Sequence, residues 1–558
     1  MMNMKLRVAY ARGRYKDKVY ETPLIVTSYR DEKGTARNRT ICSLSQVPRS
    51  VVSLIDAALK KGDTDILEDF VSVKDLSVEQ SLSVGPGWTV LNIMKQLGIY
   101  SLLKEKLTSK QAAVITAIIN ERVTAGKPLS VMALQRRFSQ EVISYLLDME
   151  KSPALNTWYE ALAKLEHNRE DILIELFRQN NKPGELYLYD ITSSYFEGTT
   201  CPIADFGYNR DGKHGKMQVV IGVICDEAGC PLWIDVFRGN TSDQTTVKQQ
   251  LINLKEKLGL EGFTFVGDRG MVTNARIEEL QKEGWWDSFT YITALTRQEM
   301  MSLVEDEDHP VQLELFDNLN LAEVEHNGER FVLCHNPERM GRDRETRERL
   351  LSLTESKLSC ILKNVQSGRI KNPDVISRRV NRWLDRWGMR RFFKTAVSDG
   401  SFSFERHREE IERYVRLDGC YVIRSNTKNH TSRGLLDRYK DLKCVEQAFR
   451  TMKTTDINTR PIRHFNEPQV RGHIFACFLA YRIVWELRQR LSPVLQRDPD
   501  TARCEAGSLA EIWRELETIS LIKINSNNKT WFKLSTLTPY VSKILTLCKI
   551  PSLNEILR

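Results

Sequence analysis

The chain has 558 residues, 82 Lys and Arg against 73 Asp and Glu, and 41% apolar side chains. That length exceeds what one core supports and predicts several domains. The composition excludes a disordered polymer, a fibrous repeat and a small disulfide scaffold. No stretch nears the roughly 20 apolar residues that span a bilayer, and Met1 to Arg7 lacks the apolar core of a signal peptide. The 11 cysteines include no C-x-x-C and read as reduced thiols in a cytoplasm, mostly packed in cores.

Residues 1–75 read as a β-rich basic region. Val19 to Ser28 fits a strand, Asp31 to Gly34 a turn, and Arg39 to Leu44 a returning strand. Residues 1–40 carry ten Lys and Arg against four Asp and Glu, which suits either nucleic-acid contact or a guarded sheet edge. Residues 76–180 read as helical, with helices at Trp88–Leu103 and Gln111–Arg122 around the stop at Gly98. This is a weak helix-turn-helix signal and a good helical hairpin; the region is assigned to DNA-end binding.

From 181 to 297 strands alternate with helices. Glu185–Asp190, Met217–Cys225 and Pro231–Phe237 form a meander turned at Asp226–Gly229. Thr241 to Gln244 matches a T-x-x-Q capping box, and Val247, Leu251, Leu254 and Leu258 behind it keep helical spacing. Then follow strand Phe263–Asp268, helix Thr273–Gln281 and strand Phe289–Leu295. The order β, β, β, α, β, α, β predicts a mixed sheet with helices on its faces. Residues 298–432 interrupt it with an acidic loop at Glu305–Glu307, strands at Phe331–Cys334 and Gly419–Arg424, and helices. Arg369 to Lys394 holds nine Lys and Arg against two Asp. Trp383 and Trp387 there read as inward-packed, with arginines left for phosphate. Residues 433–490 return to helix. The tail, 491–558, carries a capping box at Ser508–Glu511, a hairpin around Asn525–Lys529 and a helix near Thr538–Cys548.

Three carboxylates stand out. Asp190 and Asp268 each end an apolar strand of one sheet, where open sheets place ligands. Two converging carboxylates repel unless a cation lies between them. Hard oxygen donors suit Mg²⁺, and two such ions (Mn²⁺ being able to substitute) would serve phosphodiester cleavage. A third carboxylate is Glu446. On one helix, Tyr439, Leu442, Glu446, Arg450 and Lys453 fall within roughly ±40° of one direction. Alone, any of these has a plainer reading, as a strand-end turn or a surface salt link.

Tyr189–Gly198 (YDITSSYFEG), Gly239–Asp243 (GNTSD), Gly267–Met271 (GDRGM) and Val445–Lys453 (VEQAFRTMK) resemble the bacterial insertion-sequence DDE transposases. The subgroup is the one that marks its last carboxylate with Tyr-x2-Arg-x3-Glu-x6-Lys. Arg460–Phe465 and Arg471–Ala480 add to the likeness, which covers about 185–485. It implies an α/β fold: an RNase H-like mixed five-stranded sheet with flanking helices. An inserted α+β domain (298–432) precedes the last catalytic helix, and a β plus helical region forms the N-terminus. It implies that Asp190, Asp268 and Glu446 are the catalytic, metal-binding triad, and that Tyr439 and Lys453 meet DNA phosphate. Leu442 stands where the signature has arginine; Lys443 and Arg450 are the candidates to supply its charge. Lys443 also stands where some members carry a base-stacking tryptophan, so a DNA hairpin intermediate is not implied. The partners implied are double-stranded DNA, both terminal inverted repeats and target, and a second copy in the synaptic complex.

Gly207–His214 nearly matches a phosphate-binding loop, but His214 stands where Ser or Thr must reach Mg²⁺ and a strand follows. It reads instead as a polar loop whose Arg210 and Lys216 can face DNA. His464 and His473 lack metal spacing and read as boundary and core residues. Two alternatives stand beside the transposase: an RNase H-like nuclease that does not join strands, and a decayed DNA-binding regulator.

Overall fold

The computed structural model describes residues 6–15, 18–30, 34–61, 77–180, 184–208, 210–213, 215–269, 271–282, 289–304, 321–326, 328–455, 457–460, 462–495, 506–526 and 529–557. Asp31–Lys33, Asn209, His214, Gly270 and Glu305–Glu307 lie outside them. The chain divides into two compact units, one of Met1–Val84, Thr518–Leu537 and Ser552–Arg558, the other of Gly85–Glu517 and Thr538–Pro551.

In the first unit, β1 (Leu6–Tyr15), β2 (Lys18–Arg30) and β3 (Ala36–Ser43) form an antiparallel sheet in that order. Their Val, Ile, Thr and Tyr content favours a pleated surface. Helix α1 (Arg49–Lys61) packs on β1, and Val26 and Val52 are buried. A second sheet joins β4 (Ser77–Ser83) to β15 (Ser520–Ser526) and β16 (Lys529–Leu534), in the order β16-β15-β4. The expected hairpin near Asn525 is thus present. Its partner comes from the other end of the chain, which no local pattern encodes.

The second unit opens with helices Gly85–Gln96 and Ile99–Lys106, separated by Gly98 at φ 76°, a conformation that glycine adopts without strain. Next come α2 (Ser109–Thr124), started by a Thr108–Gln111 capping box, and α3 (Leu155–His167).

Its sheet has eight strands, not five. They are β5 (Leu186–Tyr195), β6 (Gln218–Asp226), β7 (Pro231–Phe237), β8 (Phe263–Gly267), β9 (Phe289–Ala294), β10 (Leu321–His326), β11 (Glu329–His335) and β14 (Cys420–Ser425). The order is β10-β11-β14-β9-β8-β5-β6-β7. Only β5–β8 and β8–β9 are parallel. The five strands read from 185–295 are neighbours, and β10, β11 and β14 from the interrupting segment extend the sheet beyond β9. The reason is apolar burial: Val332, Leu333, Val422 and Ile423 are all at most 3% exposed. The same segment adds the hairpin β12 (Phe393–Ser398) and β13 (Ser401–Arg406). Its helix Pro373–Arg386 turns Ile376, Val380 and Leu384 inward. The rings of Trp383 and Trp387 lie 5.4 Å apart at a tilt of 35°, partly buried against that cluster, with Arg382 and Arg386 over Trp383.

Two local readings are corrected. The helix after β7 starts at Asp243 with Ser242 as its cap residue and no side-chain capping bond, so the Thr241–Gln244 box does not form. Thr245 binds the Ser242 carbonyl instead. The single helix expected through 439–453 is two: α4 (Ser432–Lys440) and α5 (Lys443–Arg450), with a wider π-type turn over Thr451–Thr455. Asp441 and Leu442 form the break.

Helix α6 (Glu467–Arg490) is buried along most of its length and packs on α2, α3 and β7. At Gly472 an added Cβ would lie 1.9 Å from the Leu162 carbonyl oxygen of α3. That neighbour is backbone and cannot swing away. Gly472→Ala is therefore expected to destabilise the second unit by about 2–3 kcal/mol, read as a lowered calorimetric unfolding midpoint. Gly184→Ala, with nothing within 4 Å of its Cβ, should leave the midpoint in place. Among the described residues no helix is long and apolar enough to cross a membrane.

Candidate active site

The site begins with a register. Parallel pairing of β5 with β8 runs from Leu186↔Thr264 to Tyr189↔Gly267 and stops. The next residue on each strand is a carboxylate, Asp190 and Asp268. Parallel strands put successive residues side by side, so the two acids emerge where the ladder opens. Asp190 does not end its strand, as its sequence context suggests. β5 continues to Tyr195, and Asp190 pairs with Val223 of β6. The polar run Thr192–Ser194 extends β5 because β6 still offers it a partner.

Helix α5 packs on β5 and β6 through buried Val445, Ala448 and Phe449. This turns Glu446 to the same opening. Asp190, Asp268, Glu446, Tyr439 and Lys443 together line one cavity of about 370 Å³, with Arg297 and Arg339 of the following segment on its wall. Tyr439 donates to Asp268 Oδ1 at 3.0 Å. Burial, then the Asp268 charge, pushes its phenol above the usual range, so it remains a donor. The carboxyl of Asp190 is pushed up to about 7, first by burial and then by the negative charges of Asp268 and Glu446. Its one backbone donor, the Ile191 amide at 2.7 Å, does not offset them.

These three acids fit a hard cation. They offer only oxygen donors, and the rise at Asp190 comes first from burial and then from the Asp268 and Glu446 charges, which the Arg210 charge counters only in part. Among the described residues no three such side chains are gathered closely enough to hold an ion. One oxygen of Asp268 is engaged by Tyr439 and by the Arg269 amide.

The remaining candidates are distributed differently. Lys443 is exposed and borders both this cavity and a second one of about 700 Å³, where Arg450 lies with Trp485 and Arg488. Leu442, in the place of the signature arginine, is buried at 8% exposure. Lys453 is turned away from the opening. It bonds Thr192 and pairs with Asp211 at 2.9 Å, and burial lowers its pKa. Arg210 forks onto both oxygens of Asp243 at 2.7 Å, and Lys216 pairs with Glu197 at 2.8 Å. His473 is buried with Nε2 3.2 Å from the Thr459 carbonyl, its ring 4.9 Å from that of His464.

Two features escape the sequence. Asp211, read as part of a polar loop, is buried; it also pairs with Arg460 at 2.5 Å and accepts from the Tyr195 amide. An aspartate before a glycine signals a turn, and nothing local marks it as a hub. Gly239 packs so closely that a Cβ would lie 2.0 Å from the Gln218 carbonyl oxygen. Its place before Asn-Thr-Ser-Asp is visible in the sequence, but the strand it abuts is not.

Residues 182–483 match the model of the transposase DDE domain, and residues 10–65 match the N-terminal domain of IS1634 family transposases. No curated protein matches. Among solved structures, the chain is similar to the piggyBac transposase synaptic complex with hairpin DNA, at 12% identity and a TM-score of 0.36. That likeness covers 77% of this chain and 75% of that one. The Mos1 transposase paired-end complex with left transposon end matches at 16% identity and a TM-score of 0.14. It covers 29% of this chain and 59% of that one.

Proposed function

The chain belongs to the DDE transposases of bacterial insertion sequences, and we propose that it cuts the strand at each terminal inverted repeat of its own element and joins the freed 3′ ends to target DNA. The observation that carries this is that Asp190, Asp268 and Glu446 line one cavity. The strand order β7-β6-β5-β8-β9 supports an RNase H-like core, with three meandering strands followed by two parallel ones. Asp190, Asp268 and Glu446 would hold divalent ions, Mg²⁺ best matching the all-oxygen donor set. Bound there, such ions supply charge neutralisation and an activated water or hydroxyl.

The chain's own residues do the rest. Tyr439 orients Asp268 by its hydrogen bond. Lys443, at the cavity rim, faces incoming phosphate, and Arg450 lies about two turns further along the same helix. Lys453 holds β5 to the Asp211 loop, and a phosphate contact from it requires that pair to open. Arg210 and Lys216, on the same loop region, would reach DNA by leaving Asp243 and Glu197. Joining two ends calls for two copies of the chain.

The test is a joining assay with labelled terminal-repeat duplex, target plasmid and Mg²⁺. Joined products are expected, and they should vanish when EDTA removes the metal and return when Mg²⁺ is restored. Cleavage without joining under every metal condition would support the nuclease instead.

A further inference from the structure

Most of the first unit's sheet is ordinary, but at one end of it large side chains stand exposed among the described residues. β3 pairs with β2 only over Leu24–Arg30. Beyond Pro23, whose carbonyl accepts from the Leu44 amide, β1 and β2 continue as a two-stranded ribbon from Ala11↔Thr22 to Tyr15↔Lys18. Isolated ribbons of this kind are marginal in water. This one nonetheless holds large side chains in solvent: Tyr10 at its base is 54% exposed, Val19 63% and Tyr20 53%.

The register sorts these side chains by face, because residues directly opposite share a face and alternate along each strand. One face carries Tyr10, Arg12 and Arg14 of β1 opposite Glu21 and Val19 of β2. The other carries Ala11 and Gly13 opposite Thr22 and Tyr20. The first face is therefore basic and aromatic, with Glu21 bonded to Arg12 at 2.9 Å. The second bears no arginine: Ala11 and Gly13 stand opposite Thr22 and the exposed Tyr20, and a Cβ on Gly13 would meet nothing within 4 Å.

Two paired strands lie about 4.8 Å apart and, with side chains, match the roughly 12 Å major groove of duplex DNA, which admits a β-ribbon. The ribbon's run from Ala11 to Tyr15 extends roughly 14 Å, a little under half a helical turn of DNA. The helices assigned to end binding from the sequence have less to offer. The apolar side of α2, Ala112 to Ile119, is buried, as are Trp158, Leu162 and Leu165 of α3.

We propose that the β1–β2 ribbon enters a groove of the element's terminal DNA with its Arg12–Arg14 face toward the duplex. This rests on the chain acting on DNA ends, and it adds which surface reads them. Arginines on a ribbon can contact phosphate and base edges together, so the ribbon contributes both affinity and register.

The experiment uses the full chain and a labelled duplex bearing the terminal repeat, in gel shifts at graded salt and by hydroxyl-radical footprinting. Arg12→Ala with Arg14→Ala is expected to weaken binding at least roughly ten-fold and to reduce the salt slope by about 2, one for each phosphate no longer neutralised. The footprint should be missing one protected patch. Arg12→Lys with Arg14→Lys should retain the salt slope, and Gly13→Val, on the opposite face, should bind as the parent does. Unchanged affinity and slope in the alanine pair, with the parent chain still protecting and joining the ends, would overturn the ribbon assignment alone. Weakened binding from Gly13→Val with none from the arginine changes would also overturn it. A parent chain that neither prefers the terminal duplex nor joins it would remove the transposase reading, and the ribbon with it.

Discussion

Asp190→Asn should make the metal-free protein more stable and at the same time stop strand cleavage. Asp190 is half-buried beside two other acids, and its carboxyl is pushed up to about 7 from an ordinary 3.8. Taken whole, that rise corresponds to roughly 4 kcal/mol of unfavourable environment for the charged form. Its partial exposure and its coupling to Asp268 and Glu446 reduce this to about 2 kcal/mol. Asn keeps the oxygen that accepts from the Ile191 amide and removes the charge. The sign with pH follows from the direction of the rise. The folded state holds its proton more tightly than the unfolded one, so stability of the parent chain falls as pH climbs from about 4 to about 7 and then levels. The Asn variant should lack that slope. Mg²⁺ should raise the parent's unfolding midpoint at pH 8 and leave the variant's nearly unmoved. Cleavage should drop at least roughly a hundred-fold, the scale of removing one preorganised electrostatic group. Differential scanning fluorimetry at pH 5 and pH 8, with and without Mg²⁺, reads the stability. A variant less stable than the parent at pH 8, or one that still cuts, would mean that Asp190 is not an acid held against its neighbours for a cation.

What can be read in the residues divides along a physical line. Strands with local alternation and turns between them, such as Pro231–Phe237 behind Asp226–Gly229, are legible because the signals are adjacent. So is Asp268, since β8 is short, apolar and ends at Gly267. Asp190 reads as a strand end because polarity rises after it, yet the ladder with β6 overrides that composition through Tyr195. Helical spacing places Glu446 correctly relative to Val445 and Phe449. It misses the break at Asp441 and Leu442, which moves Tyr439 onto a separate helix. Pairing of β4 with β15 and of β14 with β9 depends on residues far apart in the chain and leaves no local trace. The same holds for ion pairs, as the lysine of the signature shows. Its spacing from Glu446 says nothing of the buried aspartate that holds it.

That aspartate is where the largest loss of stability is expected. The Asp211 side chain is 3% exposed and faces Lys453 at 2.9 Å and Arg460 at 2.5 Å, while the Tyr195 amide donates to its other oxygen. Asp211→Ala leaves two cations and an amide at a buried point with their anion gone. Breaking a buried pair from one side typically costs about 3–5 kcal/mol, because the remaining charge is neither solvated nor matched. Lys453 is already pushed down by burial, so without Asp211 it would shed its proton more readily and release Thr192 of β5. The damage should reach the reaction. Arg210, next to Asp211, bonds Ser193 of β5 through its amide, and Ser193 lies three residues past Asp190. Loosening this loop should slow cleavage even though no metal-binding side chain changes. A second substitution separates charge from packing: Asp211→Ala combined with Lys453→Met removes anion and cation together and should recover part of the stability that the single change removes. Urea titrations of the parent, both single variants and the double supply the cycle. Strict additivity, with no recovery in the double variant, would show that Asp211 and Lys453 are neighbours without being partners, and would return Lys453 to the phosphate contact that its place in the signature implies.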